Sequence, residues 1–163
     1  ILEDKTMKTR FDLITTVLLV LSLTGCGRTN VPPDLPKLVS CQITVQQEGK
    51  PLVDASVSLA PQDGSKWNAT GSTNERGIAE MFTHGMYRGV AEGKYKVVVS
   101  KNESTNPPLA PTGQPQEKQK HFTLVEEIYG DPVKTPLEID VVKGTIEYSV
   151  DSGKAIKKQL PDR

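Results

Sequence analysis

The chain holds 163 residues, with 20 Lys+Arg against 20 Asp+Glu, 36% hydrophobic and 5% aromatic residues, 13 Gly, 12 Pro and 2 Cys. Domains run about 100 to 200 residues, so this length bounds the chain to one, and zero net charge removes the excess of Lys and Arg that phosphate contacts need, which argues against a nucleic-acid partner. Gly and Pro stand above average yet short of low complexity, so a folded, loop-rich domain is expected.

Residues 1–25 carry an address. Met7 is the expected true start, with residues 1–6 lying upstream of it; Lys8 and Arg10 precede an uncharged run of 11 residues, Leu13 to Leu23. A membrane span needs about 20 apolar residues, so the run is too short for one and fits the apolar region of a signal peptide. The four residues that follow, Leu23-Thr24-Gly25-Cys26, resemble the lipobox of bacterial lipoproteins. That resemblance implies cleavage before Cys26, diacylation of its sulfur, and membrane lipid as the first partner, with two acyl chains giving stable anchoring at about 0.8 kcal/mol per buried methylene. Gly27 rather than Asp after the Cys points to the outer membrane or cell surface. Cleavage removes three charges of each sign, so the mature chain keeps 17 of each and stays neutral.

Residues 26–39 read as the lipidated Cys and a tether. Pro32, Pro33 and Pro36 favour extended polyproline II and would hold a domain up to roughly 40 Å from the bilayer, at about 3.1 Å per residue; an ordered lead-in strand is the alternative for the last few residues.

From residue 40 the apolar period is two, the mark of half-buried strands. Ile43 and Val45 form the first, followed by the turn Glu48-Gly49-Lys50-Pro51; Ala55, Val57 and Leu59 form the second. A weaker third covers Trp67 to Ser72 and ends in Thr73-Asn74-Glu75-Arg76-Gly77, and Ile78 to Phe82 is the fourth. After a bend at Gly85 and Gly89, the fifth runs from Gly93 to Val99 with Tyr95, Val97 and Val99 inward. Leu137, Ile139 and Val141 make the sixth, Lys143-Gly144 a turn, and Ile146, Tyr148 and Val150 the seventh. Seven short strands over residues 40–150 predict an all-β fold, a seven-stranded antiparallel β-sandwich of the immunoglobulin or prealbumin type with Greek-key connections. The long Pro-rich stretch 101–136 is expected to be mobile over Asn102–Lys120, with His121–Tyr129 returning as an edge strand or a helical turn, and 151–163 is expected to be a solvated polar tail.

The strand through Val45, Gly49-Lys50-Pro51, Ala55-Ser56-Val57, Thr73-Asn74-Glu75-Arg76-Gly77 and Gly93-Lys94-Tyr95-Lys96-Val97 together resemble the carboxypeptidase regulatory-like family, as found in small bacterial lipoproteins. The resemblance covers residues 40–150 and implies a transthyretin-like sandwich; in it Tyr95 is a candidate tyrosine corner. In metallocarboxypeptidases this domain is an accessory beside the zinc domain.

Chemistry-bearing motifs are sparse. His84 and His121 are the only histidines, too few for a three-His zinc site and outside any His-Glu-x-x-His pattern. No Gly-x-Ser-x-Gly elbow and no phosphate-cradling glycine loop occurs. Tyr87-Arg88-Gly89-Val90 resembles the Tyr-Arg-Gly-Ser ending of transthyretin-like hydroxyisourate hydrolases, but sits mid-chain without that family's other motifs. The candidate ligand-binding residues are Trp67, Tyr87 and Tyr129, with Phe122, as an exposed aromatic platform for sugar. Cys41 is expected to be a small buried residue. The expected function is a non-catalytic, lipid-anchored cell-envelope protein whose sandwich binds another protein or plays a structural part; the alternative is a carbohydrate or peptidoglycan-binding module, and a transthyretin-like hydrolase comes third. No cofactor, metal or catalytic residue is expected.

Overall fold

The computed structural model describes residues 31–114 and 116–161. The chain divides into residues 1–35 and residues 36–163. Of the first unit only 31–35 are described, where the Leu35 amide donates to the Pro32 carbonyl at 3.1 Å. The expected signal peptide and the lipobox-like segment ending at Cys26 lie outside the described residues.

The described chain is all-β, built from several largely antiparallel sheets, and its single described helix is four residues long. In chain order the strands are β1 (Leu38–Val39), β2 (Gln42–Gln47), β3 (Lys50–Pro51), β4 (Ser56–Pro61), β5 (Ala69–Ser72), β6 (Ile78–Glu80), β7 (Phe82–Thr83), β8 (Tyr87–Arg88), β9 (Val90–Ala91) and β10 (Gly93–Ser100). After them come β11 (Asn102–Ser104), β12 (His121–Thr123), the helix α1 (Glu127–Gly130), β13 (Glu138–Val141), β14 (Glu147–Asp151) and β15 (Lys158–Gln159). A six-stranded antiparallel sheet runs β13-β10-β4-β5-β7-β8, and β2 is flanked by β14 on one side and by β3 and β6 on the other.

Alternation decides which faces are buried. Ile43 and Val45 of β2, Val57 and Leu59 of β4, and Tyr95, Val97 and Val99 of β10 point one way and join a single core with Met81, Val141 and Val150. Their neighbours Thr44, Ser58 and Lys96 point the other way and keep solvent contact, as the two-residue side-chain period of a strand requires.

The expected fourth strand is cut in two at Met81. Its first half, β6, pairs with β2, while its second half, β7, pairs with β5. Between them the Met81 amide donates to the Cys41 carbonyl at 3.0 Å and its carbonyl accepts from the Gly89 amide at 2.9 Å. A strand that changes sheets in this way makes a corner and brings both sheets onto one core. Gly71 of β5 permits the crossing, because a Cβ there would collide with the Glu80 carbonyl oxygen.

Among the described residues every buried polar side chain has a hydrogen-bond partner. Thr73 Oγ1 accepts from the Ala55 amide at 2.8 Å, and the hydroxyls of Thr83, Thr135 and Ser152 donate to the carbonyls of Gly89, Val97 and Gln46. Satisfied groups of this kind hold connections in register without the cost of an unmade bond. The turn Asn74–Gly77 is similarly closed: Asn74 Oδ1 accepts from the Arg76 and Ile78 amides, and Gly77 takes φ +74° against the Val45 carbonyl.

Several expectations need correction. The strands are not all antiparallel: β14 pairs with β2 in parallel over Glu147↔Gln42 to Asp151↔Gln46. The turn at Lys143-Gly144 is therefore no hairpin, because β13 and β14 enter different sheets. The seven expected strands become fifteen among the described residues, because the fourth is cut in two and short strands also form in segments expected as tether, turn, bend, loop and tail. At the end of the expected tether it is the alternative, an ordered lead-in strand, that occurs, with Leu38–Val39 paired against Val90–Ala91. The stretch 101–136 is partly ordered: β11 pairs with β12 and the expected helical turn follows as α1, but β12, expected at an edge, is a central strand with a partner on each side. The tail is not simply solvated, since β15 adds to β12 and makes a three-stranded arm, β11-β12-β15.

Candidate functional site

A half-open cleft of about 390 Å³ lies between the end of β10, the arm and α1. Its apolar walls are Val99, Val125, Ile156 and Leu160, while Ser100, Asn102 and Thr123 add polar surface and Glu126, Glu127 and Lys158 line it with charge. Cavities of roughly 300–1,000 Å³ with mainly apolar walls and a few polar groups are the usual form of binding sites.

Each wall has a local cause. The inward alternation of β10 carries Val99 to the end of its strand, and Val125 is turned inward just after β12, where it is buried. Ile156 and Leu160 face the cleft because the C-terminal segment is tied down by backbone bonds from Ile156 to Leu124 at 3.3 Å and from Leu160 to His121 at 2.8 Å. The Gln47 side chain clamps this junction, donating to the Leu124 carbonyl at 3.0 Å and the Lys154 carbonyl at 3.2 Å.

The charges on the cleft are not equivalent. Lys158 reaches Glu127 across 3.8 Å. Glu126 is half-buried at the start of α1 and caps no backbone amide with its side chain. Outside the lining, Lys157 pairs with Glu103 at 3.6 Å and lies over the Phe122 ring at 5.0 Å, so Lys157 and Lys158 of the tail both face acidic partners. The acidic groups lining the cleft outnumber its one lysine.

The aromatic residues singled out by sequence do not meet. Trp67 is 9% exposed, stacked on His84 with ring centroids 4.9 Å apart and overlain by the Lys66 ammonium at 4.7 Å. Tyr87 is half-buried in β8, beside Thr83. Trp67 and Tyr87 thus belong to the β5-β7-β8 side of the large sheet, whereas Tyr129 lies in α1, half-buried against the core and beside Gly153. Register separates them along the strands too: Trp67 precedes Ala69, which faces Leu59, whereas α1 lies by Val99 and Ser100.

Both histidines are engaged outside the cleft. His84, at φ +51°, bonds through Nε2 to the Lys66 carbonyl at 2.9 Å, and His121 Nδ1 bonds Ser104 Oγ at 2.7 Å on the exposed arm. Among the described residues no three His, Cys, Asp or Glu side chains gather as a metal-binding set, and no helix is long and apolar enough to cross a membrane. Cys41 is buried, and desolvation raises its thiol to about 11, so it is a poor nucleophile. Tyr95 makes the bond of a tyrosine corner: its hydroxyl donates to the Ala91 carbonyl at 3.0 Å, and burial raises its pKa to about 12.

Sequence reasoning missed the cleft. The available signal was the pair Ile156 and Leu160, two apolar residues four apart in an otherwise polar tail. No protein-family model, curated protein or solved structure matches the chain.

Proposed function

We propose that the chain is a non-catalytic, exported binding module, anchored to a bacterial envelope membrane through acylated Cys26, that receives a protein partner in the cleft beside α1. The observation that carries the binding reading is the cleft itself, with apolar walls, charge on its lining, and neither histidine in it. The lipobox Leu23–Cys26 carries the anchoring, since only nine residues separate Cys26 from the start of the second unit at Pro36. The β-sandwich of carboxypeptidase regulatory-like type belongs to the same proposal: the core shared by two sheets, the Tyr95 bond and the Asn74 turn support it.

A protein partner is favoured over a glycan. Sugar sites use an open aromatic face, and the lining has no aromatic residue while Trp67 is 9% exposed and in ring contact with His84 and Lys66. Intact-cell crosslinking from a photoreactive residue at position 160, followed by recovery of the anchored protein, tests the binding reading; a crosslinked protein is expected, and labelling only of glycan strands would overturn it. Incorporation of a clickable fatty acid that disappears in Cys26→Ser tests the anchor.

A further inference from the structure

The cleft combines apolar walls with charged groups on one lining. Its four aliphatic walls ask for aliphatic side chains, and its lining carries Glu126, Glu127 and Lys158. Lys158 faces Glu127, whereas Glu126, a half-buried residue next to buried Val125, lines the cleft and caps nothing in α1 with its side chain. A carboxylate on the lining of an otherwise apolar cleft attracts a cationic partner and repels an anionic one. The open side of the cleft suits a chain segment lying across it better than a fully enclosed small molecule.

We propose that the cleft docks a polypeptide segment of the partner that carries aliphatic side chains next to a lysine or arginine, the aliphatic groups against Val99, Val125, Ile156 and Leu160 and the cation at Glu126. This rests on the cleft being the binding site of the module, and it does not depend on the lipid anchor.

The test uses three end-blocked fluorescent hexapeptides, Gly-Leu-Leu-Lys-Leu-Gly and the same peptide with Gln or Glu in place of Lys, titrated by anisotropy against the full mature chain. The Lys peptide is expected to bind best, with the Gln peptide weaker by roughly three- to tenfold and the Glu peptide weaker still. Glu126→Gln should erase the difference between the Lys and Gln peptides while leaving the Gln peptide where it was, and Leu160→Ser should weaken all three. Thermal melting and circular dichroism of both variants verify that they fold. Equal binding of the Lys and Gln peptides, or a charge preference that survives Glu126→Gln, would overturn the charge selection and leave the cleft as an apolar site. If no peptide binds although crosslinking from position 160 captures a protein, the segment chemistry is wrong and the binding module stands; failure of both overturns both readings.

Discussion

Two regions of the molecule are held together by different forces. The core strands β2, β4 and β10 bury aliphatic or aromatic side chains at alternate positions, and six of these seven residues are fully inaccessible. The arm β11-β12-β15 buries none of its strand residues and relies on ladder bonds, the Gln47 clamp and the pairs Lys157–Glu103 and Lys158–Glu127. Apolar burial of a side chain is worth about 1.5–3 kcal/mol, whereas an exposed ion pair contributes about 0–1 kcal/mol and is screened by salt. The core therefore sets global stability, and the arm, which carries much of the cleft, opens locally at lower cost.

Leu59→Ala strikes the core hardest. It empties a fully buried site at the middle of the β4–β10 pairing and should cost about 2–5 kcal/mol in chemical denaturation; a loss below about 1 kcal/mol would mean that the core is looser than described. Gly77→Ala comes next, because φ +74° disfavours a Cβ that would also press on the Val45 carbonyl, and about 1–3 kcal/mol should be lost. Tyr95→Phe removes one buried donor from the Ala91 carbonyl and should cost about 1 kcal/mol.

The arm responds to other treatments. Lys157→Ala with Lys158→Ala should leave the melting temperature nearly unchanged, within about 0.5 kcal/mol, yet speed hydrogen exchange at the Ile156 and Leu160 amides, and added salt should do the same to the unaltered chain. Equal protection of arm and core amides would erase the contrast. The smallest effect concerns pH. Lys96, through a hydrogen bond and its charge, holds Glu138 below its ordinary 4.5. The folded state thus binds this proton less readily than the unfolded one, so the contribution is present above the ordinary carboxyl range and fades as pH falls below it. Glu138→Gln should remove that part of the acid-side slope, and an unchanged slope would assign it to other carboxylates such as Asp131, which the Val133 amide holds low.

The same contrast explains what was legible in the sequence. Strands with one buried face announce themselves by alternation, so Ile43/Val45, Val57/Leu59, Tyr95/Val97/Val99 and Ile139/Val141 were readable. The arm has no such signature: Asn102-Glu103-Ser104 and Lys158-Gln159 are polar on both faces, and their pairing depends on partners far away in sequence. The parallel partner of β14 was equally hidden, because β2 lies about a hundred residues earlier. The candidate aromatic site failed for a related reason: composition counts Trp67 and Tyr129 but not the strand register that sends them to separate ends. The cleft draws its lining from residues 99–102, 123–130 and 156–160, and no local pattern joins those three segments.

The parallel pairing of β2 with β14 also has a mechanical meaning. Gln42 lies opposite Glu147 and Gln46 opposite Asp151, so the chain enters one end of this pair from its amino side and leaves the other end toward its carboxyl side. Tension applied between the two chain ends, once the short β1 and β15 have peeled away, slides these strands past each other lengthwise. Their ladder bonds then share the load together instead of breaking one after another, which makes this pair a shear-loaded clamp.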